Sequence, residues 1–215
     1  MNKNLITRNY VAEFETRTSE EEPGLVIGRP IVYNSSTCIG GMFNEIIERG
    51  ALDHTDLTDV LFFVNHDTSK LPLARSRRNN GNSSMTLKID ENGLYIEARL
   101  DIENNAEARN LYSAISRGDI DGMSFMFGID DEEWEGLDTD MPTRHIRSIS
   151  KVVEVSAVNF PAYNSTSIST RDDVAVETAQ EILDNIRSSQ VVDTTLKDKE
   201  ALELLRLRTQ VLLSI

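Results

Sequence analysis

The chain is short of cysteine, of positive charge and of long apolar runs, and each shortage removes a class of function. Cys38 is its one cysteine, which excludes an internal disulfide and any cysteine-built metal site. A lone thiol suits the cytoplasm, with burial as a small apolar residue its default role. No stretch approaches the roughly 18 apolar residues of a membrane-spanning helix, and the opening MNKNLITRNYVAEFETR lacks the apolar region of a signal peptide. Neither a membrane nor export is therefore expected. Lys and Arg number 22 against 36 Asp and Glu, for a formal net charge of −14. Phosphate backbones repel such a surface, so no nucleic-acid partner is expected. The basic cluster ARSRR (74–78) is too small to reverse that balance. No helical H-E-x-x-H spacing is present, and the sequence predicts no metal and no cofactor.

What is present is mostly short strand patterns. YVAEFETR (10–17) alternates in the strand manner, and EEEPG (20–24) reads as a turn. LVIGRPIVYN (25–34) follows, its Pro30 pointing to an edge or bulge. FNEIIERGAL (43–52) begins as a strand. The apolar run Val60 to Val64 is that of a buried strand, with Asn65, His66 and Asp67 at its exit. SMTLKIDENGLYIEARL (84–100) predicts a hairpin around Asp90 to Gly93. Residues 104–118 predict a helix: Ala108, Leu111, Tyr112 and Ile115 share one face, Asn104 or Asn105 caps the start and Gly118 suits the stop. DDEEWEGLDTD (130–140) reads as an exposed acidic loop, and residues 143–164 as two further strand runs ending at NFPAYN.

After about residue 168 the pattern turns helical. Ala179, Ile182, Leu183 and Ile186 form one apolar stripe, and Leu204, Leu205, Leu207, Val211 and Leu212 crowd a second beyond the break SSQVVDTT. The expected fold is mainly β with helices (α+β): a closed or nearly closed antiparallel β-barrel surrounded by helices over residues 1–168, and a C-terminal helical tail over 169–215.

Three groups with chemistry sit in or just after strongly apolar strand runs: His66, Ser124 and Glu154. A polar group there costs about 1 to 3 kcal/mol unless it finds a partner, so the three have reason to satisfy one another. Such a set fits acyl transfer, with a serine nucleophile, a histidine that takes and returns its proton, and a carboxylate that orients the histidine. A plainer reading stands beside each. Ser124 fits as a small residue bonded to a nearby carbonyl, His66 as a loop residue bonded to Asp67, and Glu154 as a strand residue paired with Arg147 or Lys151. A metal-dependent hydrolase using His66, Asp67 and His145 or Glu154 is a further alternative, as is a structural protein without activity. Ser156, two residues from Glu154 on the same strand face, is the second candidate nucleophile.

Several segments in the same order resemble the HK97-type prohead maturation proteases of tailed bacteriophages, relatives of the herpesvirus capsid assembly proteases. The segments are FNEIIERGAL, VNHD followed by LPLARS, NGLYIEARL, GDIDGMSFMF and VVEVSAVNFPAYN, and they span roughly residues 10–168. Ala74 stands where the family more often has glycine. The resemblance implies a serine endopeptidase with His66 as general base, Ser124 as nucleophile and Glu154 as the group behind the histidine. His145 is the rival third member, because the herpesvirus relatives use a second histidine, and Arg75 is the candidate support for the oxyanion hole. It further implies action inside the immature capsid, in the cytoplasm of the infected bacterial host. The partners it implies are a major capsid protein or scaffold polypeptide and other copies of the chain. The cuts would remove scaffold segments and parts of the protease itself, and the tail would be a scaffold-contacting arm or a removable segment.

Overall fold

The computed structural model describes residues 5–11, 15–17, 23–159 and 179–189. The chain divides into two compact units, Met1–Ser167 and Ile168–Ile215. In the first, the described strands are β1 (Leu5–Val11), β2 (Glu15–Arg17), β3 (Leu25–Val32), β4 (Ser36–Ile39), β5 (Phe43–Ile47), β6 (Leu61–Val64), β7 (Ala74–Arg75), β8 (Met85–Asp90), β9 (Gly93–Arg99), β10 (Gly122–Glu135) and β11 (Thr143–Val158), with helix α1 (Ala106–Ser116) between β9 and β10. In the second unit residues 179–189 form helix α2, with Ala179 and Leu183 buried on one stripe. The second tail stripe, the break before it and the segment NFPAYN beyond Asn159 lie outside the described residues.

The expected closed antiparallel barrel is not what forms. Two open sheets share one core. One has seven strands, in the order β1-β10-β11-β5-β4, with β6 pairing β11 and β7 pairing β6. The other has four, in the order β2-β3-β9-β8. The run 10–17 accordingly breaks into β1 and β2, which join different sheets. Nor is the larger sheet wholly antiparallel, since β5 and β6 both run parallel to β11. Alternation and turn residues report where strands begin and end, but which edges meet is set by long-range packing.

The larger sheet nevertheless curls strongly. Arg8 on β1 reaches across the concave face to Glu45 on β5, with Nε 2.6 Å from Oε1 and Nη2 3.0 Å from Oε2. Arg144 of β11 contacts the same carboxylate at 3.2 Å and also binds Glu132 of β10. Glu45 is fully buried, and a carboxylate there is tolerable because two guanidinium groups share it. Side chains, rather than a backbone ladder, bring those two strands together.

Bulges cause the curl. Between β10 and β11 the register shifts at Met126/Phe127, Gly128/Ile129, Ile129/Asp131 and Asp131/Glu132. Each extra residue bends and twists the pair. Along β11 the core side chains Ile146, Ile149, Val152 and Val155 recur one in three, and only from Val155 to Ala157 does the spacing return to one in two. The two strand runs expected at 143–164 are thus one bulged strand in the described part. The supposed acidic loop is strand as far as Glu135. Trp134 is held there by Phe43 in an edge-to-face contact at 5.0 Å and by the Arg144 guanidinium at 5.6 Å.

Local signals were reliable where they were strong. Asn105 caps α1 by accepting from the N–H groups of Glu107 and Ala108. The hairpin β8–β9 turns at Asp90, Glu91, Asn92 and Gly93, and Asp90 is clamped by both terminal nitrogens of Arg29 at 2.6 and 2.7 Å. Cys38 is exposed, contrary to expectation, because Thr37 takes the inward position on β4.

Two stability predictions follow from the hairpin. Gly93 has φ +136°, and a Cβ there would lie 2.0 Å from the Ile31 carbonyl oxygen. Gly93→Ala should therefore destabilise by about 3 kcal/mol in urea unfolding. Arg29 holds the Asp90 carboxyl down to about 2, against about 3.9 in an unfolded chain. A lowered folded value gives stability that is complete above the unfolded value and lost as pH falls through the folded one. Asp90→Asn should cost about 1 kcal/mol at pH 7, and unfolding curves should show the difference shrinking as pH falls from about 4 toward 2.

Candidate active site

The central ladder of the larger sheet builds the site. Ser124 on β10 pairs directly with Ser156 on β11, and Met126 with Glu154. Opposed residues in a ladder share a face, so Ser124, Ser156 and Glu154 lie together on the face turned away from Phe125, Val155 and the main core. All three are buried, at 0%, 0% and 1% exposure. On the far side of β11, β6 runs parallel with Phe63 in register with Ser156 and Val64 with Ala157. The chain leaves β6 after Val64 and turns through Asn65 and His66, whose φ values of 51° and 58° are left-handed. Such a conformation persists only where the surroundings fix it. Here the Asn65 N–H donates to the Ala157 carbonyl at 2.9 Å, and its side-chain oxygen accepts from the Asn159 N–H at 3.1 Å.

The turn delivers the imidazole to the acid. His66 Nδ1 lies 2.5 Å from Glu154 Oε1. The Ser156 hydroxyl donates to Glu154 Oε2 at 2.7 Å and accepts from the His66 backbone N–H at 3.2 Å. The buried carboxylate therefore has a partner on each oxygen, which is what allows it to remain in the interior. Ser124 is oriented differently. Its hydroxyl donates to the Arg8 carbonyl of β1 at 2.8 Å, so in this conformation its one proton is not directed at the imidazole.

The other sequence candidates fall elsewhere. His145, paired with Ile46 toward the start of β11, contacts Glu48 at 3.0 Å and Glu135 at 3.5 Å. Arg75 pairs with Asp59, Nε to Oδ1 at 2.7 Å. That guanidinium holds the Asp59 carboxyl below its ordinary range. The Arg75 backbone N–H donates to the Ser84 hydroxyl at 2.9 Å and is thereby committed. Asp67 binds Ser69, whose hydroxyl lowers the Asp67 carboxyl's pKa. Glu154 pairs with neither Arg147, which meets Glu48 and Glu133, nor Lys151, which meets Asp56. Among the described residues no group of three His, Cys, Asp or Glu is placed to hold a metal ion, and no helix is long and apolar enough to cross a membrane.

Two residues of the site carry little signal of these contacts in the sequence. Ser156 reads there only as a second candidate nucleophile, although its two-residue spacing from Glu154 already puts the two on one strand face. Arg8 carries no local signal, because its carbonyl meets Ser124 only through the pairing of β1 with β10.

Removing the acid should leave the imidazole and the Ser156 hydroxyl without their acceptor. Glu154→Ala is expected to lower stability by about 1 to 3 kcal/mol, read from urea unfolding at pH 7.

Comparison with known proteins bears on what such a site does. A family model described as caudovirus prohead serine protease matches residues 12–181. The chain is also similar to the prohead protease of Enterobacteria phage HK97, 27% identical over 177 residues that cover 80% of this chain and 71% of that protein. No solved structure gives a significant match.

Proposed function

Because the chain belongs to the caudovirus prohead serine protease family, we propose that it is the endopeptidase of prohead maturation in an infected bacterium, with Ser124 as nucleophile, His66 as general base and Glu154 as the acid that orients it. The supporting observation is the 2.5 Å contact of His66 with buried Glu154, beside a Ser156 that pairs directly with Ser124. Directly opposed residues of an antiparallel pair have Cα atoms about 4.5 to 5.5 Å apart, so Ser124 and the His66 turn flank the same residue.

In this reading the Ser124 hydroxyl turns from the Arg8 carbonyl toward His66 Nε2 when substrate arrives. Its oxygen attacks the scissile carbonyl carbon as its proton passes to Nε2. The peptide C–N bond then breaks and the same proton leaves on the new amine. Water attacks the resulting ester, gives its proton to Nε2 and releases the acid, and the proton returns to Ser124. Glu154 fixes the Nδ1–H tautomer and offsets the charge of the imidazolium. Arg75, held by Asp59, serves as scaffold for the strand pair β6–β7 and supports the oxyanion indirectly. A hollow of about 510 Å³ beside the end of β6, with Val64, Leu111 and Ile120 in its wall and the Lys70–Glu107 pair at its edge, receives a substrate side chain. Since Ser124 is fully buried, cutting also requires displacement of whatever covers that face.

The substrates are scaffold segments of the capsid protein inside the immature capsid, and the chain itself. The segment 169–215 serves as a scaffold-contacting arm or a removable piece, and copies of the chain associate. One observation favours the alternative of an inactive structural protein in capsid assembly, namely the Ser124 hydroxyl bonded to a main-chain carbonyl.

One experiment separates the two. Wild type and Ser124→Ala are each mixed with the capsid precursor, and the masses of both chains are followed. The wild type should shorten both, with the alanine variant at least about 1,000-fold slower. Equal processing by the two would remove Ser124 from the role, and no processing by either would favour the structural reading.

A further inference from the structure

We propose that Ser156 is a positioning residue for the reaction, locking the acid and the base into one geometry; this rests on the triad reading above. Three contacts form a closed ring. His66 Nδ1 meets Glu154 Oε1 at 2.5 Å, the Ser156 hydroxyl donates to Glu154 Oε2 at 2.7 Å, and the His66 N–H donates to Ser156 Oγ at 3.2 Å. One small side chain thus grips both the carboxylate of the acid and the backbone of the base.

Each grip acts on a freedom that would otherwise degrade the site. A glutamate has three side-chain torsions, and its carboxylate is free to rotate unless both oxygens are engaged. With Oε2 held by Ser156, Oε1 is aimed at the imidazole. The base, for its part, stands on a turn with two successive residues in the left-handed region, a conformation that needs external support. The Asn65 side supplies some of it through Ala157 and Asn159. Ser156 supplies the bond to His66 itself.

The same ring removes Ser156 as a nucleophile. A hydroxyl has one proton, and that of Ser156 goes to a buried carboxylate rather than to the nitrogen that must accept it for attack. One of its two lone pairs is also engaged by the His66 N–H. Ser156 sits on the same row of the sheet as Ser124, so its position makes it the natural decoy in sequence and the natural brace in three dimensions.

The test uses the full chain and a fluorophosphonate that esterifies activated serines, with the modified peptide identified by mass and the saturation kinetics recorded. In the wild type the label should fall on Ser124. Ser156→Ala should lower the maximal labelling rate about 10- to 100-fold while the half-saturating probe concentration stays within about twofold. Ser156→Thr, which keeps the hydroxyl, should recover most of the rate. Thermal unfolding is run alongside, and if the alanine variant does not fold, Ser156→Cys, with similar volume and a weaker donor, takes its place. Labelling of the alanine variant at the wild-type rate would overturn the positioning role. Label found on Ser156 would overturn it too, by making that residue the nucleophile while leaving a serine peptidase intact. Full labelling and processing in Ser124→Ala with none on Ser156 would instead dismiss the triad reading.

Discussion

Everything in the larger sheet hangs on the antiparallel ladder between β10 and β11. It sets Ser124 opposite Ser156 and Met126 opposite Glu154. β11 then carries β6 in parallel along its other edge, so a chain leaving β6 emerges beside the same row. Residues 66, 124 and 154 are brought to one neighbourhood by two ladders sharing one strand. The arrangement needs no long loop, and the rigidity of the paired backbone limits how far the side chains can drift.

Two buried carboxylates share this sheet, on opposite faces and with opposite solutions. Glu45, on the concave side, is neutralised by the guanidinium groups of Arg8 and Arg144. Glu154, on the other side, has an imidazole and a hydroxyl. An arginine keeps its charge at every relevant pH, which suits a structural tie. An imidazole has a second ring nitrogen beyond the one that meets the acid, which suits the proton transfer proposed for His66. The partner chosen for each acid separates the tie that holds the curl from the contact proposed to serve the reaction.

The parts legible in the sequence were those with local causes. The hairpin 84–100 follows from its turn residues, and α1 from a cap at Asn104 or Asn105, its apolar stripe and Gly118. His66 and Glu154 stand out in the sequence because polar groups in apolar strands need partners, and the fold brings those two into contact. Closure of the sheet was not legible, because it depends on whether strands far apart in sequence share a ladder or only a salt bridge such as Arg8–Glu45. The bulged register of β11 was equally hidden, since a three-residue spacing of core side chains imitates no strand pattern. The Ser124–Arg8 bond belongs to the same class, as it arises only when the first strand pairs with the tenth.

Val153 shows how much such a hidden feature controls. It is the unpaired residue between Val152, opposite Phe127, and Glu154, opposite Met126. Plain alternation would put Glu154 on the same side as Val152, among the hydrocarbons of the interior. The bulge that leaves this valine unpaired is what turns the acid away from the interior. Were the same sequence to pair residue by residue with Val153 opposite Met126, no side chain's chemistry would change and the carboxylate would still lie on the wrong side of the wall.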